Sequence, residues 1–491
     1  MSLLKKLAGE TAIYGLSYII SRVLLFIVMT IYLTRKFSGD TSEYGIYSEM
    51  YGYSTIILTI LVFRMDTAFF RFGSKGEKHK SFNTGFWAVL ILCIISLLVL
   101  LPNIDFFAHI LQYDESPHYI LWFAFILALD AITAMVFAKL RLDSRPIRFM
   151  FYKLMNVFVT IFVVLFSLEV LPRFYPEVKL QLDSFLGVQR QIDYVFYANL
   201  IASGLIVFLM LPEFRKVTFE FDKPLFKKML VYSLPLVAVA IAGNINQAVA
   251  APLQKWFLGD SILENLANAG VYAAAAKLAI LLNLFTTAFN YAAEPFFFNN
   301  SENKNVLEIY GKVALAFTIF VCIVTLGIIS YIDIVIMLLG DSYRSAIHIV
   351  PILLFAYIFL GLYYNVSIWY KLKDKTIIGA YISILGAVIT LAMSLILLPK
   401  IGYVASAWAA LVCYITMVLV SYIWGRKYFP VKYPVAKILG YIFITALILF
   451  GVIYLKSILG FGITYIVIVT LLIGLVLLYA YKKDYPTLVT D

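Results

Sequence analysis

Apolar positions along this chain neither alternate with polar ones nor recur every third or fourth residue. They run continuously for about 20 residues at a time, the length that crosses a bilayer as a helix. Fourteen such stretches fill the sequence, separated by short polar connections. They predict spans at 10–34, 44–64, 83–101, 119–138, 149–168 and 192–211. A second set follows at 229–250, 268–293, 309–331, 346–369, 376–398 and 403–424, and two more at 435–455 and 460–481. The segment Ser330 to Leu339 either extends the ninth span or lies at the interface. Most prolines fall in connections or at span ends, where a missing N–H does little harm. Pro235 is the main one inside a span and is expected to kink the seventh. With so little chain outside these stretches, function has to reside in the membrane bundle.

Composition sharpens the class. Of 491 residues, 63% are hydrophobic and 14% charged, against roughly 25% charged in soluble domains. A β-barrel is disfavoured because its strands alternate in polarity. The fold class predicted is therefore an all-α polytopic membrane protein with 14 transmembrane helices. The net charge of +11 does not point to nucleic acid, because the basic residues cluster at span ends, where topology and anionic headgroups account for them. No cleavable signal is expected, since the first apolar stretch exceeds the roughly 7–15 residues of a signal-peptide core. Cys93, Cys322 and Cys413 fall in three different spans, and His79, His109, His118 and His348 read as surface residues. Neither set has the spacing of a metal site, and no metal or cofactor is expected.

The lysines and arginines orient the bundle. Arg71, Lys75, Lys78 and Lys80, then Lys139, Arg141, Arg145 and Arg148, then Arg215, Lys216, Lys223, Lys227 and Lys228 all fall on one side. The connection from Pro102 to His118, on the other side, has no lysine or arginine. Positive residues mark the cytoplasmic side, so both termini are expected in the cytoplasm.

The chain also resembles itself. Lys5-Lys6-Leu7 before the first span returns as Lys227-Lys228-Met229 before the seventh, and Gly39-Asp40 returns as Gly259-Asp260. Tyr44-Gly45-Ile46-Tyr47-Ser48 returns as Ala269-Gly270-Val271-Tyr272-Ala273. Three matches in order at near-constant offset indicate two six-span units of like orientation, the parallel-repeat design of transporters with a central cavity. The domains expected are an N-terminal six-helix lobe at 1–211, a second at 212–424, and two additional helices at 425–491.

These residues resemble a known pattern, that of the multidrug/oligosaccharidyl-lipid/polysaccharide (MOP) exporter superfamily, and within it bacterial polysaccharide flippases of the O-antigen and capsule type. The resemblance is carried by Lys5-Lys6-Leu7-Ala8 leading into a first span that holds Arg22, and by Met65-Asp66-Thr67-Ala68-Phe69-Phe70-Arg71-Phe72. Gly270-Val271-Tyr272 to Lys277, and Phe289-Asn290-Tyr291-Ala292-Ala293-Glu294-Pro295, carry it in the second half. It implies two lobes forming a V around a cationic cavity, and alternating access for a glycan on a polyprenyl diphosphate. It further implies a bacterial inner-membrane protein that is not an enzyme. A downstream polysaccharide polymerase or ligase would be a possible partner, in O-antigen, lipopolysaccharide or capsule synthesis.

Several residues have the chemistry for such a task. A charge at the middle of a span costs at least ~2.5–3.5 kcal/mol, so Arg22 should face protein or water. It was placed on one stripe with Thr11, Gly15, Tyr18 and Thr30, where its guanidinium suits a diphosphate. The competing reading is an interhelical ion pair, with Asp130 as the partner. Lys277 either enters the cavity or snorkels outward. Asn283, Thr287, Asn290 and Glu294 share a second stripe, and the seventh span offers Asn244, Asn246 and Gln247. These amides suit sugar hydroxyls or interhelical hydrogen bonds equally. Asp130, the most promising buried carboxylate, is a candidate coupling site, and Arg64, Asp66 and Arg71 are a candidate gate cluster. Lys153 reads as a headgroup contact. Tyr363, Tyr364 and Trp369, near Asn365, are the aromatic residues placed to stack on sugar.

Two other readings compete. A cation-coupled drug antiporter of the same superfamily would want a compact acidic site. A membrane glycosyltransferase would want a substantial exterior domain, and the longest exterior connection, 169–191, has no convincing carboxylate pair. The orientation is directly testable: a fluorescent protein fused after Asp491 is expected to fluoresce, and alkaline phosphatase at the same point to be inactive. The reverse pattern would invert every assignment of side.

Overall fold

The computed structural model describes residues 20–259, 261–299, 305–373 and 375–484; the side chain of Glu294 lies outside the described set. All regular structure among the described residues is helical. Hydrocarbon supplies no partner for a peptide N–H or C=O, so a spanning segment has to satisfy them within itself. Among the described residues, eleven helices are long and apolar enough to cross a membrane. They are Lys78–Ile110, His118–Leu142, Pro146–Phe174, Lys223–Ala248, Ile262–Thr287, Val306–Ser330, Asp341–Leu372, Thr376–Ile401, Val404–Tyr428, Val435–Leu459 and Ile463–Lys483.

The other three expected spans are helical over most of their described residues. Residues 20–36 are helical with a π-turn at Ile27–Tyr32, Ser42–Val62 forms a 21-residue helix, and Asp193–Leu209 is apolar but only 17 residues long. The helix Ser42–Val62 breaks at Phe63 and Arg64, both at positive φ, and restarts as Met65–Phe72. Pro235 sits within the helix Lys223–Ala248.

The expected exterior connections carry more structure than the sequence suggested. Within 102–118, Ile104–Ile110 is helical, and within 169–191, Pro176–Leu186 is an 11-residue helix. Leu180 and Phe185 are 73% and 85% exposed there, as on a helix lying in the membrane interface. The segment 330–339 does not extend the ninth span. The helix ends at Ser330, and a separate short helix, Ile332–Ile336, follows.

By packing, the described residues divide into two compact units. The first comprises those up to Leu33 and Ile46–Asn244; the second comprises Thr34–Gly45 and those from Ile245 onward.

In the first unit, Met65, Phe69, Phe82, Phe86, Met135 and Met229 form a common apolar core. Polar contacts secure its two ends. On the basic edge, the buried Glu213 meets Arg148 at 2.7 Å, Lys216 at 3.0 Å and Arg145 at 3.5 Å. Burial opposes its charge, but Lys216 and Arg148 outweigh burial and hold the carboxyl below its usual range. On the opposite edge, the fully buried Asp193 accepts hydrogen bonds from the Tyr119 hydroxyl at 2.6 Å and from the backbone N–H groups of Gln189 and Arg190. His118 lies 3.8 Å from Asp193 and 4.4 Å, ring to ring, from Trp122. Only 19% of its side chain is exposed, so it is not the surface histidine expected.

In the second unit, the short segment Thr34–Gly45 is gripped by residues far along the chain. Arg35 donates to the Met337 carbonyl at 2.7 Å, Ser342 to the Ser38 carbonyl at 2.6 Å and Tyr343 to the Phe37 carbonyl at 3.2 Å. Glycine makes this approach possible. A Cβ on Gly45 would lie 1.8 Å from the Leu266 carbonyl oxygen, and one on Gly270 would lie 2.2 Å from that of Thr41 and 2.8 Å from the Gly45 nitrogen. The two glycines are the centres of the repeated Tyr-Gly-Ile and Ala-Gly-Val motifs, and they touch. The last two helices pack on Val306–Ser330 and the short helix after it: Tyr465 donates to the Ser330 carbonyl at 3.0 Å, and Lys456 pairs with Asp333 at 2.8 Å.

The glycine contact yields a prediction. Overpacking typically costs about 1–3 kcal/mol, and here the clash is with backbone, which no rotamer relieves. Gly45→Ala is expected to lower the thermal midpoint of the purified protein clearly. Gly39→Ala, where nothing lies within 4 Å, should leave it unchanged within about 0.5 kcal/mol. Equal effects would remove the close approach from the account.

Candidate transport site

Arg22 lies on the first described helix and is exposed. Thr30, on the same helix, falls within the π-turn and is only 3% exposed. The two therefore do not share an exposed face, and the expected stripe is interrupted where the helical register changes. Thr11, Gly15 and Tyr18 lie outside the described residues.

Asn244 is committed to helix contact. Its amide donates to the Thr55 carbonyl at 2.9 Å and the Thr59 hydroxyl at 2.8 Å, joining Lys223–Ala248 to Ser42–Val62 within the first unit. Asn246 is buried in the second unit, where Thr390 donates to its side-chain oxygen at 3.2 Å and Tyr414 to its carbonyl at 3.3 Å. Gln247, the next residue, is exposed. Four residues, 244–247, thus hold two structural amides and one available amide, because successive helical residues point about 100° apart.

The long helix Ile262–Asn299 carries Lys277, Asn283, Thr287 and Asn290, all half-buried. The side-chain oxygen of Asn283 is buried without a hydrogen-bond partner, and so is the Thr286 hydroxyl one turn on. Buried polar atoms of this kind call for water or a ligand. At Glu294 the structure describes helical backbone alone.

Asp130 is half-buried. It accepts a hydrogen bond from Ser203 at 2.8 Å and lies close enough to Lys153 for their charges to interact. The Lys153 ammonium sits 4.3 Å from the centre of the Phe137 ring. Several other carboxylates are more deeply buried than Asp130, among them two that the sequence reading did not place at a site. Glu49 is fully buried and accepts a hydrogen bond from Tyr113, and Asp193 is the second. Glu49 was not singled out from the sequence; an acid on an apolar helix beside Tyr47 and Tyr51 was the available signal.

Arg64, Asp66 and Arg71 form no ion pair with one another among the described residues. Arg64 occupies the left-handed break, Thr67 donates to Asp66 at 3.3 Å, and Arg71 extends over the Tyr232 ring at 4.2 Å. Adjacent positions on one helix point in different directions, so proximity in sequence did not make a cluster. Of the three aromatic residues expected to stack on sugar, Trp369 and Tyr363 are packing residues and Tyr364 is half-buried. Trp369 is 1% exposed, donates to the Ser421 carbonyl at 3.1 Å and stacks on Tyr428, while Tyr363 and Asn365 are also buried.

No protein-family model and no curated protein sequence matches the chain. Solved structures do. A structure titled lipid II flippase MurJ, inward closed conformation, superposes with a TM-score of 0.72 at 16% identity, covering 96% of this chain and 99% of its own. A MOP superfamily transporter from Pyrococcus furiosus gives 0.58 at 13% identity, covering 85% of this chain and 95% of its own. An inward-facing multidrug resistance MATE family transporter of the MOP superfamily gives 0.55 at 12%, covering 85% and 94%. The chain has the fold of MOP superfamily transporters.

The Ser203–Asp130 contact can be measured. A hydrogen bond to a charged group contributes about 1.5–3 kcal/mol. Ser203→Ala is expected to destabilise the protein by that order in the wild-type background and by clearly less beside Asp130→Ala. An equal cost in both backgrounds would show that the two side chains do not interact.

Proposed function

We propose that this protein is a flippase that moves a polyprenyl-diphosphate-linked oligosaccharide across the bacterial inner membrane by alternating access, for cell-surface polysaccharide synthesis. All fourteen expected helices would cross the bilayer, with both termini cytoplasmic. The observation that carries the reading is the extent of structural likeness. The solved lipid flippase covers 96% of this chain, and the MATE transporter covers 85%. The chemistry of the candidate substrate-binding residues supports it as well, being basic and amide rather than acidic.

In this reading Arg22, in the first unit, binds the diphosphate through its planar pair of N–H donors. In the second unit Lys277 supplies further positive charge, and Gln247, Asn283 and Asn290 bind sugar hydroxyls. Asn244 aligns its helix through Thr55 and Thr59. Asp130 and Glu294 are the proposed coupling carboxylates, and Arg64, Asp66 and Arg71 serve the cytoplasmic gate one by one rather than as an ion-pair cluster. The prenyl tail stays in lipid, so only the polar headgroup needs a path. A polymerase or ligase would take up the product on the far side.

The likeness to the MATE transporter favours the second reading, a cation-coupled drug antiporter. One experiment separates them. In a strain lacking the protein, the lipid-linked oligosaccharide should accumulate in the cytoplasmic leaflet. Wild type should clear it, and an equally abundant Arg22→Ala should do so at least about tenfold more slowly, the equivalent of losing ~1.4 kcal/mol or more of charged hydrogen bonding. Normal outward transfer without the protein, together with new drug sensitivity, would establish the antiporter instead.

A further inference from the structure

The first unit holds a cavity of about 640 Å³ lined by Arg71, Phe72, Pro224, Lys227, Lys228, Val231 and Tyr232. It lies on the basic edge, between the end of the helix Met65–Phe72 and the start of the helix Lys223–Ala248. In the same unit other cations meet carboxylates: Arg145, Arg148 and Lys216 at Glu213, and Lys78 at Asp143. Arg71, Lys227 and Lys228 form no ion pair among the described residues, and no acid lines the cavity. The nearby Asp222 is occupied as a helix cap, accepting the Leu225 N–H at 2.9 Å, and Glu220 lies 3.5 Å from His79.

Two lysines in the first turns of a helix stand at the positive end of its dipole, an arrangement that favours a bound anion. The guanidinium is also held in place. Arg71 lies 4.2 Å from the centre of the Tyr232 ring, which itself meets Phe72 edge-on. Above the lysines the same helix face turns apolar. Lys227, Val231, Leu234 and Ala238 follow at helical spacing, and Val231 and Leu234 are 66% and 59% exposed. A cationic seat at the interface continuing into an apolar strip within the span fits one kind of molecule: an anionic headgroup on a hydrocarbon chain. Three cations without acids match a diphosphate better than a single phosphodiester.

We propose that this cavity is the loading site where a prenyl diphosphate lipid of the cytoplasmic leaflet docks, its diphosphate on Arg71, Lys227 and Lys228 and its chain along Val231 and Leu234. The identity of the lipid rests on the flippase reading; the site itself does not require transport.

The test places a photoreactive benzoylphenylalanine at Val231 in the full-length purified protein. It is cross-linked in mixed micelles with prenyl diphosphate, phosphatidylglycerol or the uncharged prenyl alcohol, and adducts are read by mass. The expected result is an adduct with prenyl diphosphate at least tenfold above the other two. Arg71→Gln/Lys227→Gln/Lys228→Gln should abolish it while leaving the thermal midpoint and the phosphatidylglycerol background unchanged. Equal adducts with the alcohol would mean plain lipid contact and overturn the site. Equal adducts with phosphatidylglycerol would mean a general anionic-lipid seat and overturn loading. Should the triple variant fail to fold, each single glutamine variant is scored, and three unchanged adduct yields would also overturn the proposal. Because no transport is measured, failure of the flippase reading leaves this outcome separately readable.

Discussion

Hydrocarbon cannot hydrogen-bond a peptide group, and the rest of this structure follows from that constraint. It makes every long apolar segment a helix. It also removes the usual reason for helices to associate, because lipid tails are as apolar as leucine. What holds helices together is then close backbone approach and pinned polar contacts. Both occur at definite places here. Gly45 and Gly270 let backbones touch, and Gly340 does the same against the Thr34 carbonyl. Buried carboxylates anchor helix ends within each unit: Glu213, Asp193 and Glu49 in the first, Asp484 in the second. For Asp484, burial opposes the charge, but hydrogen bonds from Lys437 and Tyr441 outweigh it and keep the carboxyl below its ordinary range.

That constraint explains which parts of the fold could be read directly from residues. A run of 20 apolar residues has one stable solution in a bilayer, so the helices fall where the hydropathy pattern puts them. The short helices within the connections were not legible in the same way. Pro176–Leu186 mixes Lys179, Asp183 and Glu177 with Val178, Leu180 and Phe185, and in sequence such a mixture reads as a connection. The grip on Thr34–Gly45 was illegible for another reason. Its partners, Leu266, Met337 and Tyr343, lie more than two hundred residues away. The repeated Tyr-Gly-Ile and Ala-Gly-Val motifs were visible, but their physical reason, two backbones in contact, required coordinates.

Site residues divide along similar lines. Residue type and depth identified Arg22, Lys277 and Asn283 as polar groups that need an explanation within a membrane, but they did not say which way each side chain points. Asn244, Asn246 and Gln247 illustrate this: three amides within four residues, of which two bind neighbouring helices and one is exposed. Trp369 and Tyr363 had the chemistry of a sugar platform and the burial of core residues. Asp130 stood out as a lone acid in an apolar run, whereas Glu49, better buried, was camouflaged by the tyrosines beside it.

The most direct measurement is transbilayer movement by the purified protein alone. It would be placed in liposomes that carry a fluorescent polyprenyl-diphosphate oligosaccharide in both leaflets, and an external glycosidase added. The account predicts that nearly all the label becomes cleavable over time, whereas empty liposomes stop once the outer leaflet is consumed. A protein-containing sample that also stops there, in vesicles where the protein is folded and inserted, would contradict it.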